Sequence, residues 1–310
     1  MLSSCNCIKQ GTNKKNTTNY EWFDYKWESG TLSGKYFPKL AMLIPTKINN
    51  LDANLELQFD LGSNTSVLYG NTLGSYFPKS TIKSWLIDST KISPDENRTF
   101  YQMQGINITS GDFKIEHIVY MENFGTKVLK DSLFTSSPKR VGSLGADAFK
   151  DKILIIDYPN QRMCVLDSLD RFWKSKAVFV QSRLRRGRIQ IPLTINNKDY
   201  WFLFDTGASL FPVNTNKKIW TEIVDEIATT DTLIANSWGE QVPFYGKPIT
   251  KNVYLGDKLL HKDYAWYNEN KRLMEFNTVE EIDGLVGNAY FFDEVVLLDF
   301  KHNQFGVVRK

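Results

Sequence analysis

Two aspartates stand at matching places in this 310-residue chain, and each is carried into a tight turn by an apolar run. Trp201 to Pro212 reads WFLFDTGASLFP, in which Asp205 enters a Thr206-Gly207-Ala208 bend. Leu55 to Leu68 reads LELQFDLGSNTSVL, with Phe59-Asp60 and Gly62 standing where Phe204-Asp205 and Gly207 stand, 205 − 60 = 145 residues earlier. A glycine two residues after an aspartate lets the chain double back with its amides close to the carboxylate, where a side chain would obstruct the approach. One such turn is an ordinary hairpin feature. Two of them raise a specific chemistry. Carboxylates held within a few ångströms share one proton, because like charges so close do not both ionise near neutral pH. A pair in that state offers a base and an acid together, and that chemistry calls for no metal or cofactor.

The elements that would position the pair are also repeated. Upstream, Ile44-Pro45 and Ile48-Asn49-Asn50 match Ile191-Pro192 and Ile195-Asn196-Asn197. Strands are expected over Leu40 to Ile48 and Leu55 to Phe59 around the turn NNLDAN, and over Ile189 to Ile195 and Tyr200 to Phe204 around NNKD, so both aspartates follow hairpins. Downstream, GADAFKDKILIIDYPNQRMCV (Gly145 to Val165) aligns without gaps on GNAYFFDEVVLLDFKHNQFGV (Gly287 to Val307) at a constant offset of 287 − 145 = 142. Gly145/Gly287, Phe149/Phe291, Asp151/Asp293, Asp157/Asp299 and Val165/Val307 coincide. A fixed-offset match of this length marks duplication of one β-rich unit.

The pattern resembles the pepsin-like and retropepsin-like aspartic proteases, over roughly Ile44 to Val308. In that family each half contributes two hydrophobic residues followed by Asp-Thr/Ser-Gly, and later an apolar pair ending in a glycine that braces the turn. Ser143-Leu144-Gly145 and Leu285-Val286-Gly287 are the corresponding pieces here. The resemblance implies an all-β, two-lobed pepsin-like acid-protease fold, each lobe a retropepsin-like β-barrel. It implies Asp60 and Asp205 as the catalytic dyad of an endopeptidase, with Gly62, Ser63, Thr206 and Gly207 as supporting turn residues and a peptide or protein substrate in the interlobe cleft. With both aspartates on one chain, a monomer suffices. The first turn departs from the family at Leu61, where a Thr or Ser hydroxyl normally ties the two turns together. An unmatched polar partner at such a junction costs about 1–3 kcal/mol. Replacing Leu61 with Thr is therefore expected to leave stability unchanged or to raise it. The turns differ again after the glycine, where Ser63 can donate to the Asp60 carboxylate and Ala208 cannot serve Asp205, which would make Asp60 the more readily ionised member. Two other readings stay open: a catalytically silent protein of this fold that binds peptides or a partner in the cleft, and an envelope or scaffold protein whose duplicated lobes offer only binding surface.

The boundaries implied are a polar tail at 1–20, an N-terminal lobe at 21–166, a connection at 167–188 and a C-terminal lobe at 189–310. The aromatic segment Glu21 to Tyr36 is expected to be irregular, outside the duplicated units, and packed on a lobe. Between turn and bracing glycine, Thr99 to Tyr120 and Val242 to Tyr267 read as strand, glycine-bearing bend and two more strands. Tyr101, Gly105, Tyr245 and Gly246 are candidates there for a substrate-covering flap, and ordinary sheet residues are the alternative. In the connection, the resemblance implies a hairpin within a sheet shared by the lobes. Its run RLRRGR, with Arg183, Arg185, Arg186 and Arg188, reads as a solvated turn or a polyanion contact.

A formal charge of +3 from 38 basic and 35 acidic residues implies no nucleic acid partner. No stretch approaches the ~18 apolar residues of a membrane span. The histidines His117, His261 and His302 share no ligand spacing, so no metal site is expected. Cys164 reads as a buried strand thiol, and Cys5 and Cys7 make no disulfide framework. Leu2-Ser3-Ser4-Cys5 resembles a bacterial lipobox with Cys5 as lipidation candidate, although no apolar stretch precedes it. The alternatives are a lipid-anchored protein outside the cytoplasm, with coding sequence extending upstream of Met1, and a disordered polar tail on a soluble cytoplasmic protein.

Overall fold

Alternation along the strand Leu55–Phe59 sets the pattern for the molecule: Leu55, Leu57 and Phe59 are buried while Glu56 and Gln58 are partly open. A two-residue side-chain period puts one face of a strand in the core, and burying a Leu or Phe side chain stabilises by ~1.5–3 kcal/mol. The computed structural model describes residues 20–95, 98–237, 239–261 and 263–309. Its first half runs through β1 (Trp22–Asp24), β2 (Lys26–Leu32), β3 (Lys35–Ile48), β4 (Leu55–Phe59), β5 (Val67–Tyr69), helices α1 (Gly70–Tyr76) and α2 (Lys79–Trp85), β6 (Ile92–Asp95), β7 (Arg98–Gln102), β8 (Ile108–Ser110), β9 (Phe113–Lys114), β10 (Val119–Glu122), β11 (Lys139–Leu144), β12 (Ile153–Asp157) and β13 (Arg162–Leu166). The second half runs through α3 (Arg171–Lys176), β14 (Ala177–Gln181), β15 (Arg183–Arg185), β16 (Arg188–Ile195), β17 (Lys198–Phe204), β18 (Val213–Thr215), α4 (Lys217–Ile223), β19 (Asp231–Ser237), β20 (Glu240–Pro248), β21 (Val253–Leu255), β22 (Lys258–Leu260), β23 (Tyr264–Tyr267), α5 (Lys271–Glu280), β24 (Gly284–Val286), β25 (Val295–Asp299) and β26 (Gln304–Val308).

The fold is mainly β and two-lobed. Among the described residues, the first lobe's sheet has the order β6-β7-β10-β5-β11-β4-β3-β8-β9, with β2 paired to β3. The second has β19-β20-β23-β18-β24-β17-β16-β21-β22, with β15 paired to β16. The two orders correspond strand for strand. A third sheet, β1-β13-β12-β25-β26-β14, takes three strands from each half and is joined at its centre by the antiparallel pair β12–β25, where Ile155 faces Leu297. The connection thus contributes β14 to a sheet that both halves build.

Glu21 to Tyr36 is not irregular. It forms β1, β2 and the start of β3, and β1 and β2 correspond to β14 and β15 of the second half, so the duplicated unit begins earlier than the matched residues show. Its Trp, Phe, Tyr and Thr residues favour strands, but their partner for β1 is β13, far along the chain. The β2–β3 hairpin also crosses to the second lobe. Lys35 pairs with Asp231 at 2.7 Å, and the Ile234 amide donates to Ser33 Oγ at 2.9 Å. The main core is continuous between the halves, holding Leu57, Phe59 and Leu61 together with Phe204, Val286 and Phe291. Ile155, Leu297 and Cys164 form a smaller core on the shared sheet, where the Cys164 thiol is fully buried in β13 as expected. Among the described residues no helix is long and apolar enough to cross a membrane.

Candidate active site

Each aspartate sits at the end of a strand whose backbone is gripped from the side. β4 lies parallel to β11, and the Asp60 amide donates to the Leu144 carbonyl at 3.0 Å. β17 lies parallel to β24, and the Asp205 amide donates to the Val286 carbonyl at 2.9 Å. In each half the carbonyl just before the glycine thus holds the aspartate's amide. A Cβ on Gly145 would lie 2.7 Å from the Thr65 carbonyl carbon, and one on Gly287 would overlap the Ala208 carbonyl oxygen. Only glycine permits these backbones to approach so closely.

The turns bring the two carboxyl groups side by side, since a Cβ on Gly207 would lie 2.6 Å from Asp60 Oδ1 and 3.1 Å from Asp205 Oδ1. A Cβ on Gly62 would overlap the carboxyl group of Asp205, so each glycine faces the opposite aspartate. Thr206 joins the turns. Its Oγ1 accepts from the Leu61 amide at 2.9 Å and donates to the Phe59 carbonyl at 3.1 Å. No reciprocal hydroxyl comes from the first turn, where Leu61 is 2% exposed and part of the main core. The expectation that Leu61→Thr would merely restore a hydroxyl is corrected accordingly, because the position is an apolar packing site.

Burial pushes Asp60 well above the ordinary carboxylate range, and the neighbouring Asp205 charge adds to it. Asp205 is also raised, chiefly by burial, but it is opposed by more donors. Its Oδ1 accepts from the Gly207 amide at 2.8 Å and the Ala208 amide at 3.2 Å, whereas Asp60 Oδ1 accepts from the Ser63 amide at 3.2 Å. The expectation that the Ser63 hydroxyl would hold Asp60 ionised does not survive. Ser63 Oγ donates to the Thr65 carbonyl at 2.8 Å, following the bend of its own loop. Burial thus raises both members of the pair, with two turn amides on the Asp205 carboxylate and one on that of Asp60.

Around the pair lie residues that motif reading missed. Asn288 Nδ2 donates to the Thr206 carbonyl at 3.0 Å and to Ser209 Oγ at 2.9 Å, while its Oδ1 accepts from Tyr158 of the first half at 2.6 Å. In the first lobe Ser66 Oγ donates to Asp147 at 2.6 Å and accepts from the Gly145 amide at 3.0 Å. Both sets adjoin a bracing glycine, the one signal that could have pointed to them. Arg188, 6% exposed, donates to the Gly62 carbonyl at 3.0 Å and pairs with the buried Glu280 at 2.7 Å. The basic run forms the β15–β16 turn with Arg183 and Arg186 exposed, in keeping with the solvated-turn reading, and only Arg188 is buried; Arg183 stacks on Trp201, Arg185 meets Glu281 at 2.7 Å and Arg186 meets Glu280 at 3.2 Å.

Three of the flap candidates, Tyr101, Tyr245 and Gly246, sit within sheets. Tyr101 on β7 and Tyr245 on β20 pack against Tyr120 and Tyr267 of the adjacent strands, and Gly246 leaves room for the Trp266 ring. Gly105 takes a left-handed turn conformation near Trp85. The ends of the β6–β7 and β19–β20 hairpins include residues 96, 97 and 238, which lie outside the described residues, as do Cys5, Cys7 and the polar tail through residue 19. All three histidines are exposed, and no group of metal-ligating side chains occurs among the described residues. No protein-family model matches this chain, and no curated protein matches it at a significant level.

Proposed function

We propose that the protein is an aspartic-type endopeptidase with a pepsin-like fold of two retropepsin-like barrels, binding a peptide or protein substrate in the cleft between its lobes. The observation that carries this reading is the mutual approach of the turns, in which each glycine faces the other turn's carboxylate and Thr206 ties the two backbones. Two carboxyl groups so placed share a proton. The ionised member takes a proton from a water as its oxygen attacks the scissile carbonyl carbon, and the protonated member hydrogen-bonds the carbonyl oxygen. The tetrahedral adduct then breaks its C–N bond as a proton passes to the leaving nitrogen, and one proton remains on the pair.

The test is cleavage of a mixed peptide library across acid to mildly alkaline pH, read by mass spectrometry, for the parent and for Asp60→Asn and Asp205→Asn. Cleavage by the parent and its near-complete loss in both folded variants is the expected result. Substantial turnover in either variant would overturn the paired-aspartate mechanism. A second reading, a catalytically silent binder in the same fold, is favoured by Leu61, which fills the place of the second cross-turn hydroxyl with core packing. Peptide binding without cleavage would decide for it.

A further inference from the structure

Arg188 opens β16 directly after a turn in which Arg186 and Gly187 adopt left-handed conformations, and that turn aims its side chain inward. The guanidinium bridges two elements of different halves. One nitrogen meets Gly62 in the first aspartate turn, and the other meets Glu280, the last residue of α5. Phe276 of the same helix covers it, with the ring centroid 5.1 Å away.

Glu280 is 1% exposed and ends a helix. A carboxylate there opposes the helix dipole, and its burial is unfavourable unless it is paired. Nothing in helix formation asks for an acid at this place. It is accounted for as the counter-ion that holds Arg188 against the Gly62 carbonyl, behind the glycine that faces the Asp205 carboxylate. Arginine stays charged at every working pH, so the bias on the neighbouring pair is permanent. The charged and titratable groups at this locus are Asp60 and Asp205 in the turns, Tyr69 on β5, Arg186, Arg188 and Glu280.

We propose that Arg188 is a positioning residue that places the negative charge of the pair on Asp205 and the shared proton on Asp60, making Asp205 the base toward water and Asp60 the acid. The base and acid roles rest on the peptidase reading; the location of the proton does not. The geometry agrees with it: Asp205 Oδ1 accepts from two turn amides and Asp60 Oδ1 from one, and the residue that Arg188 grips, Gly62, lies against the Asp205 carboxyl group.

The test follows the side-chain carboxyl shifts of both aspartates by NMR in protein carrying isotope-labelled aspartate, so that it needs no catalytic activity. In the parent, Asp205 is expected to ionise first as pH rises. Glu280→Gln keeps Arg188 and removes its counter-charge, so the first ionisation should move to lower pH. Arg188→Met combined with Glu280→Gln removes both charges together, and should move it up by about one pH unit. Where peptide cleavage is measurable, the acid limb of kcat/KM should shift in the same directions. A purely structural role for Arg188 would predict losses of activity without opposite shifts of that limb. Asp60 ionising first in the parent, or a first ionisation unmoved in folded Glu280→Gln, would overturn the proposal. Absence of cleavage with the NMR shifts intact would remove the peptidase reading and leave the proton assignment standing.

Discussion

Asp60 carries a cost that depends on pH. Its folded-state pKa is raised by burial and by Asp205, above the ~3.9 of an unfolded aspartate. Between those values the folded protein holds a proton that the unfolded chain has released. Its stabilising share is therefore complete below the unfolded value and is lost as pH rises through the folded one. Each unit of such a shift amounts to about 1.4 kcal/mol at a pH above both values. Asp60→Asn removes the titration, so its melting temperature should match the parent's in acid and exceed it increasingly toward alkaline pH. Thermal melts across that range check this, and a gain largest in acid would refute it. Leu61 gives the second prediction at this scale. Shortening a buried Leu to Thr leaves unfilled space and puts a hydroxyl into the core, at a cost of about 1–3 kcal/mol. Denaturant titration of Leu61→Thr should show that loss, and an unchanged midpoint would mean that the hydroxyl finds the partners the first turn lacks.

The braces act at the scale of elements, where a parallel strand supplies one carbonyl to each aspartate amide and a glycine makes the close approach possible. Gly287 has an ordinary φ of −89°, so the objection to a side chain there is steric rather than conformational. Gly287→Ala would drive its Cβ into the Ala208 carbonyl next to Asp205. Because the obstacle is backbone, the expected loss lies at or beyond the upper end of the ~1–3 kcal/mol typical of overpacking. Gly74 in α1 has nothing within 4 Å of its Cβ direction. Gly74→Ala should be neutral or stabilising by up to about 1 kcal/mol through helix propensity. Equal losses in the two variants, compared by thermal unfolding, would count against the brace.

The halves of the whole molecule share more than a linker. The sheet joined at β12–β25, the crossing of the β2–β3 hairpin to Asp231 and Ile234, and a core common to both halves couple their unfolding. Calorimetry should accordingly record one transition, with van't Hoff and calorimetric enthalpies in agreement. Two resolved transitions would show that the lobes are energetically separate despite the shared sheet.

The aspartate turns, the bracing glycines and the strands entering the turns were legible in the chain, because each depends on local requirements: alternation of apolar residues, a glycine where backbones crowd, and a fixed offset between the copies. The strands within residues 21–36 were not legible there, because β1 takes its meaning from β13 and strand pairing across such a distance leaves no local mark. Tertiary structure alone decided that Ser63 turns to its own loop, that Leu61 fills core space and that Glu280 waits beneath Arg188. A side chain's direction and partner are set by whichever distant backbone packs against it, and in this molecule those backbones come from both halves of the duplication.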